Sequence, residues 1–186
     1  MNAVPAQDAA EPSQKPDLAP CRAHKFGGSS LADAERIRHV ASLLLAGDEA
    51  RQLAVCSAMQ GTTNALIAMA DAAAANTDWR AEWERQKQRH QDTAAALLQA
   101  PQAMQAQVET IFAEIAELLQ AVSLLRQPGR AASDRIQGMG EVLSTSLLQA
   151  HLCERGGDYA LLDAREVLVV RHSELGAIVD WDASAA

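Results

Sequence analysis

The alternation of apolar and polar residues predicts a strand, a tight turn and a helix near the start of the chain. Residues 21–26 form a short run between Pro20 and a Gly-Gly pair, which is typical of a buried strand. Residues 31–45 then place apolar side chains at helical spacing. Ser30 and Asp33 have the spacing of a capping box, so we predict that the helix begins there.

A second strand and several long helices follow. Residues 53–56 form a short apolar run, and residues 62 to about 75 have helical periodicity. The pattern stays helical over residues 78–125, with a break near Pro101, and is helical again over residues 133–155. Strands that alternate with helices form parallel sheets covered by helices. The predicted fold class is therefore α/β, with a parallel-centred sheet flanked by helices.

The two ends of the chain have weaker patterns. Residues 1–20 hold four of the six prolines and have no apolar period, so we predict a disordered tail followed by one domain over residues 21–186. Residues 159–162 and 166–170 are predicted to be strands. No clear secondary structure is predicted for residues 172–186.

Composition and charge narrow the classes of function. The net charge of −8 argues against nucleic-acid binding, which needs a basic face. No apolar run approaches the roughly 20 residues that span a bilayer, and the N-terminus has no signal-peptide pattern. Three widely spaced cysteines indicate free thiols in a reducing compartment. We therefore expect a soluble cytoplasmic domain that does not bind membranes.

Several common catalytic and metal-binding motifs are absent from the sequence. It contains no G-x-x-x-x-G-K-[ST] phosphate loop, no G-x-G-x-x-G after a strand and no G-x-S-x-G elbow. The five histidines do not have metal-ligand spacing with each other or with the cysteines. No metal site is predicted.

The segment Lys25–Ser30, with the sequence KFGGSS, is the strongest candidate for chemistry. Two glycines allow a ligand to approach the backbone closely, and the start of a following helix presents free N–H groups and partial positive charge. Lys25 adds a full positive charge beside them. These features suit a transferring phosphoryl group. The alternative is an ordinary strand-to-helix turn with a lysine at the end of the strand.

Four segments of the chain resemble the sequence motifs of aspartokinases, in the family's order. Lys25–Ser30 is similar to K-F-G-G-[ST]-S, and Ser57–Asn64 is similar to S-A-x-x-G-x-T-[ND]. Gly140–Ser144 is similar to G-E-x-L-S, and Leu162–Arg165 is a weaker match. The resemblance implies the N-terminal lobe of the amino-acid kinase (carbamate kinase-like) fold.

The resemblance also implies roles for individual residues. Lys25 would contact the ATP phosphates and act as the catalytic cation, with donors from Gly27, Gly28 and Ser29. Three further positions would bind aspartate: Ser57 and Thr63 with their hydroxyl groups, and Glu141 as the partner of the substrate's amino group. Capping of the second helix by Ser57 or Thr63, and a solvated role for Glu141, are the alternatives.

The reaction implied by the resemblance is phosphoryl transfer from ATP, with Mg²⁺, to the side-chain carboxylate of L-aspartate. It yields 4-phospho-L-aspartate, the first intermediate of lysine, threonine and methionine synthesis. Aspartokinases continue into a nucleotide-holding half with an R-G-G-S-D segment and into regulatory domains, neither of which this sequence resembles. We therefore expect the chain to be inactive alone, to need that missing half as a partner, and to form a homo-oligomer in its full-length form.

Two other readings of the sequence remain open. The chain could belong to a kinase of the same fold that acts on glutamate, acetylglutamate, carbamate or a nucleotide, or it could be a non-catalytic fragment that binds a partner subunit. Residues 163–170 and 174–181 also resemble the aspartokinase portion of enzymes fused to a diaminopimelate decarboxylase.

Overall fold

The computed structural model describes residues 20–127, 129–173 and 176–184. The predicted tail lies outside this part of the chain, apart from Pro20. The elements run in the order strand, 3-10 turn, helix, strand, four long helices, and a short helix, hairpin and helix at the end: β1 (Cys21–Phe26), the 3-10 turn (Gly28–Leu31), α1 (Ala34–Leu45), β2 (Arg51–Cys56), α2 (Thr62–Ala74), α3 (Arg80–Leu97), α4 (Gln102–Leu125), α5 (Arg130–Glu154), α6 (Ala164–Val167), β3 (Val169–Ser173), β4 (Gly176–Asp180) and α7 (Trp181–Ser184).

Strands β1 and β2 pair in parallel, with Cys21 opposite Arg51 and Phe26 opposite Cys56. This confirms the predicted α/β class with a parallel sheet flanked by helices. The prediction that the first strand is buried is wrong. Alternate residues of the two strands face solvent, and Leu53 and Val55 are 46% and 51% exposed. The other face packs on the helical core, because side chains alternate between the two faces of a sheet.

Helix α1 begins later than the capping box predicts. Its N-cap is Asp33, whose carboxylate accepts a hydrogen bond from the Arg36 N–H at 2.9 Å. Ser30 lies instead within the 3-10 turn, where its N–H donates to the Gly27 carbonyl at 2.9 Å. The turn takes up the residues that the prediction gave to the first turn of the helix. Ser30 is therefore not the cap.

Helices α1 to α5 enclose the core. Phe112 is fully buried at its centre, and the Trp83 indole N–H donates to the Phe112 carbonyl at 2.8 Å. The Trp83 and Phe112 rings meet edge to face, with their centroids 6.0 Å apart. Most of the other core side chains are aliphatic, in keeping with the scarcity of aromatic residues: Leu66, Met69, Ile115, Leu119, Ile136, Leu143 and Leu147 are each 0–1% exposed.

The end of the described chain differs from prediction. Residues 159–162 are not a strand, and Tyr159 packs on α1 by donating from its hydroxyl to the Leu44 carbonyl at 3.1 Å. The strand predicted at 166–170 begins only at Val169, after α6. The region predicted to lack structure forms β4 and α7. Strand β4 depends on its antiparallel pairing with β3, which a local pattern does not reveal.

His90 makes folding sensitive to acid. Its side chain is fully buried on α3, its Nδ1 atom lies 2.7 Å from the Gln86 carbonyl oxygen, and its ring faces Phe112. Burial lowers the pKa of His90 from 6.5 to about 4. Between those two values only the unfolded chain takes up the proton, so stability falls as the pH falls through this window. The loss should reach about 3 kcal/mol near pH 4.

This effect can be isolated by comparing two matched substitutions. We expect His90→Gln to flatten the fall in the free energy of unfolding between pH 7 and pH 4, measured by urea denaturation. His39→Gln, at an exposed position on α1, should keep the wild-type slope. Equal slopes in both variants would show that His90 is not the group responsible.

Candidate active site

The carboxyl ends of β1 and β2 bring two predicted segments together. The strands are parallel, so the loops that follow them leave the same edge of the sheet, and the Ser57 N–H donates to the Phe26 carbonyl at 3.0 Å. The Lys25 ammonium then donates to the Ser57 hydroxyl at 3.4 Å. Two residues that are 32 positions apart in sequence therefore meet at one point, with a cation beside a hydroxyl group.

Close packing of the two loops explains one of the glycines. A Cβ atom at Gly28 would lie 2.9 Å from the Ala58 carbonyl oxygen, so a side chain there would force the loops apart. At Gly27, the nearest atom to such a Cβ is the Lys25 Nζ at 3.7 Å, which places the ammonium over this glycine. Ser29 is exposed in the 3-10 turn. Packing against the second loop therefore holds this segment in place, and the Lys25 ammonium folds back over its backbone.

The expectation of a helix N-terminus immediately after the glycines needs correction. The 3-10 turn separates Gly27 from α1, and the acidic Asp33 already occupies the N-cap of that helix. The positive end of α1 is therefore satisfied internally. Positive charge at this loop comes from Lys25.

Helix α2 places Thr63 in its first turn, close after the second loop. The N-cap of α2 is Gly61, which has a left-handed φ of 83°. The alternative that Ser57 or Thr63 caps this helix is therefore wrong. Thr63 is half-buried, whereas the neighbouring Thr62 is fully buried and its hydroxyl has no hydrogen-bond partner within the described residues.

Helix α5 carries Glu141 to the same loop. The Ser144 hydroxyl donates to the Ser57 carbonyl at 2.8 Å, which fixes α5 against the loop after β2. A Cβ atom at Gly140 would lie 2.9 Å from the Ala58 side chain, so the space that Gly140 leaves is occupied by this loop. Glu141 is half-buried between these two contacts. The structure therefore brings Lys25, Ser57 and the backbone of Glu141 into one neighbourhood.

Sequence reasoning left two positioning groups in this neighbourhood unassigned. Ser144 belongs to the motif Gly140–Ser144, but its long-range contact with Ser57 has no sequence signal. Thr145 is the other, and its hydroxyl donates to the Glu141 carbonyl at 2.6 Å. Burial raises the pKa of Cys56 to about 11, against a smaller opposing effect of Thr145. Cys56 therefore keeps its proton at neutral pH.

The motif Leu162–Arg165 has a structural role. The Asp163 carboxylate caps α6 by accepting from the Arg165 N–H at 2.9 Å, and it also accepts from the Arg165 guanidinium. This ion pair lowers the pKa of Asp163. The contacts account for both side chains without a ligand.

The described residues show neither a metal-binding cluster nor a membrane-spanning helix. Residues 20–127, 129–173 and 176–184 contain no group of three His, Cys, Asp or Glu side chains that could hold a metal ion. No helix in the same part of the chain is both long and apolar enough to cross a membrane.

Comparison with known families decides the classification of the chain. The sequence profile of the Amino acid kinase family matches residues 21–184. The chain belongs to this family. Its curated relatives include a chloroplastic bifunctional aspartokinase/homoserine dehydrogenase of Daucus carota, 32% identical over 90% of this chain and 19% of that protein. Chloroplastic aspartokinase 3 of Arabidopsis thaliana is 33% identical over 78% of this chain and 26% of that protein.

Solved structures agree with the amino acid kinase assignment. E. coli aspartokinase III in complex with aspartate and ADP superposes with a TM-score of 0.77 at 27% identity, over 89% of this chain and 36% of that chain. Aspartate kinase of Clostridium acetobutylicum shares the fold, with a TM-score of 0.63 at 19% identity. The predicted resemblance to aspartokinases and the predicted fold are confirmed. The chain spans about a fifth to a third of the length of these proteins, and fusion to a diaminopimelate decarboxylase stays a prediction.

Proposed function

We propose that this chain forms the aspartate-binding side and the phosphate-contacting lysine loop of an ATP-dependent aspartate kinase. One observation carries the proposal. The Lys25 ammonium donates to the Ser57 hydroxyl at 3.4 Å at the carboxyl ends of two parallel strands, beside the helix that carries Glu141. The aspartokinase names of its relatives, and the aspartate and ADP bound to E. coli aspartokinase III, support this choice of reaction.

The phosphate side of the site is assigned to Lys25 and the two glycines. In phosphoryl transfer negative charge spreads over the transferring group, and most of the catalysis comes from positioning and charge neutralisation. A lysine ammonium is a compact charge that can follow this group as it moves. Gly27, Gly28 and the exposed Ser29 would offer backbone and hydroxyl donors beside it.

The aspartate side of the site needs one anion and several donors. Glu141 would pair with the substrate's α-ammonium group, while the hydroxyls of Ser57 and Thr63 would donate to its carboxylates. The attacking oxygen belongs to a carboxylate that is already ionised at neutral pH. It forms the bond to the γ-phosphorus as the bond to ADP breaks, so no general base has to remove a proton.

Mg²⁺ would enter the site bound to the phosphates of the nucleotide substrate. The described residues contain no cluster of three candidate ligands, and Glu141 is already assigned to the ammonium group. Mg²⁺ is commonly bound through substrate phosphates with only one or two protein carboxylates. We therefore assign no step of the reaction to a metal held by these residues. We also place the nucleotide-holding part of the enzyme outside this chain, which covers 36% of E. coli aspartokinase III.

A substrate panel tests the proposed function. The protein that contains this chain should be assayed with ATP, Mg²⁺ and one acceptor at a time: L-aspartate, L-glutamate, N-acetyl-L-glutamate, carbamate or a nucleoside monophosphate. ADP release is measured in each case, and hydroxylamine traps any acyl phosphate formed.

We expect L-aspartate to have the highest kcat/KM, with formation of aspartyl hydroxamate. A higher kcat/KM for another acceptor would overturn the assignment. The 186-residue chain alone should give no hydroxamate.

A further inference from the structure

A single arginine joins the two loops of the candidate site from outside. Arg89 lies half-buried in the middle of α3. Its Nη1 atom donates to the Gln60 carbonyl at 2.9 Å, and its Nη2 atom donates to the Ala32 carbonyl at 2.8 Å. Ala32 directly follows the 3-10 turn after the glycines, and Gln60 lies in the loop after β2. The two acceptors therefore belong to different loops.

The Ser57 N–H bond to the Phe26 carbonyl and the Lys25 bond to the Ser57 hydroxyl join the loops where they leave the strands, but residues further along the loops have little else to hold them in register. Within the described residues, no backbone hydrogen bond connects residues 27–32 to residues 58–61. They touch by van der Waals packing, because a Cβ atom at Gly28 would lie 2.9 Å from the Ala58 carbonyl oxygen and 3.4 Å from the Gln60 Cα. Packing resists closer approach of the loops but only weakly resists their separation. The guanidinium of Arg89 supplies the attraction that packing lacks.

A guanidinium group suits this task because its N–H donors form a rigid planar fork. Two donors of one plane can bind two carbonyl groups at once and so set the distance between them. A lysine ammonium is a point donor at the end of a flexible stem, so it would bind one loop well and the other poorly.

We propose that Arg89 is a positioning residue that fixes the spacing between residues 27–32, which follow Lys25, and residues 58–61, which follow Ser57. It does not contact the substrates. This inference rests on the proposed function for its catalytic consequence, because phosphoryl transfer depends on the alignment of the two loops. A displacement of about 1 Å in such a site can lower a rate by about 10²-fold.

Hydrogen–deuterium exchange on the 186-residue chain tests the structural part. We expect Arg89→Ala to speed amide exchange in residues 28–32 and 58–61 by at least about tenfold, with α4 as protected as in the wild type. Arg85→Ala is the matched control, because Arg85 is exposed one turn earlier on α3 and pairs with Glu82. It should leave both loops unchanged. Unchanged loop exchange in Arg89→Ala would overturn the proposal.

A second variant covers the case in which Arg89→Ala loses its fold, which would appear as faster exchange in α4 as well. Arg89→Lys keeps the charge and most of the aliphatic stem, and should free one of the two loops while α4 stays protected. Protection of both loops in this variant would show that a guanidinium bonded to both carbonyl groups is not needed.

Kinetics on the protein that contains this chain test the catalytic part. Arg89→Ala should lower kcat for aspartate phosphorylation by about 10- to 100-fold per folded molecule, and Arg89→Lys should recover part of that loss. Arg85→Ala should keep wild-type kcat. Normal kcat in Arg89→Ala would show that Arg89 does not contribute to catalysis. Because exchange is measured without substrates, a wild-type protein inactive on aspartate would refute the proposed function and leave the link between the loops standing.

Discussion

Replacing Lys25 with alanine is expected to lower kcat for aspartate phosphorylation by about 10²–10³-fold, with little change in the KM for aspartate. A preorganised charged donor that stabilises developing charge is worth about 3–4 kcal/mol. The KM should stay nearly constant because the ammonium is assigned to the phosphates. Steady-state kinetics on the protein that contains this chain, with aspartate varied at saturating ATP, measure both quantities.

Two further lysine substitutions sharpen this test. Lys25→Arg should also lose activity, because a planar guanidinium fork does not reproduce the compact charge that the Lys25 Nζ atom places 3.4 Å from the Ser57 hydroxyl. Lys87→Ala is the control, since Lys87 lies over the Trp83 ring on α3 and pairs with Glu84. Near-normal kcat in Lys25→Ala would show that the Gly-Gly segment is only an ordinary strand-to-helix turn.

Replacing Glu141 with alanine is expected to raise the KM for aspartate by about 10- to 100-fold. A hydrogen bond between charged groups contributes about 1.5–3 kcal/mol, and its loss here weakens binding of the substrate's ammonium group. The KM for ATP should change little. Glu141→Gln keeps the shape of the side chain and loses its charge, so it should resemble Glu141→Ala.

Asp134→Ala provides the control for this effect, because Asp134 is an exposed acidic residue on the same helix. It should leave both KM values unchanged. A Glu141→Ala enzyme with a normal KM for aspartate would favour the alternative in which Glu141 is only a solvated helical residue.

Local sequence patterns predict those parts of the fold that depend on local forces. The helical period over residues 62–75 is that of α2, which ends at Ala74. Strand β1 has the predicted bounds because Pro20 and the glycines limit it. Burial was predicted less well, since it depends on the number of layers that cover a strand. Leu53 and Val55 have a strand pattern, but no helix of the described chain covers their face.

In the candidate site, too, the sequence predicts some features and leaves others unpredicted. Lys25 and Ser57 could be predicted together, because parallel strands place their carboxyl ends at one edge and both residues lie in recognisable motifs. The contacts that position them are long-range and carry no local signal. The hydrogen bond from Ser144 spans 87 positions and that from Arg89 to Ala32 spans 57. Such contacts become visible only when the helices are packed against the loops.

A crystal structure of the protein that contains this chain, with L-aspartate and ADP bound, tests the central claim most directly. The account predicts that the substrate's ammonium group pairs with the Glu141 carboxylate and that its side-chain carboxylate lies near the Ser57 hydroxyl. It also predicts that the terminal phosphate of ADP points towards Lys25 and the backbone of Gly27 and Gly28. Aspartate bound away from Glu141 and Ser57, or phosphates bound away from Lys25, would contradict the account.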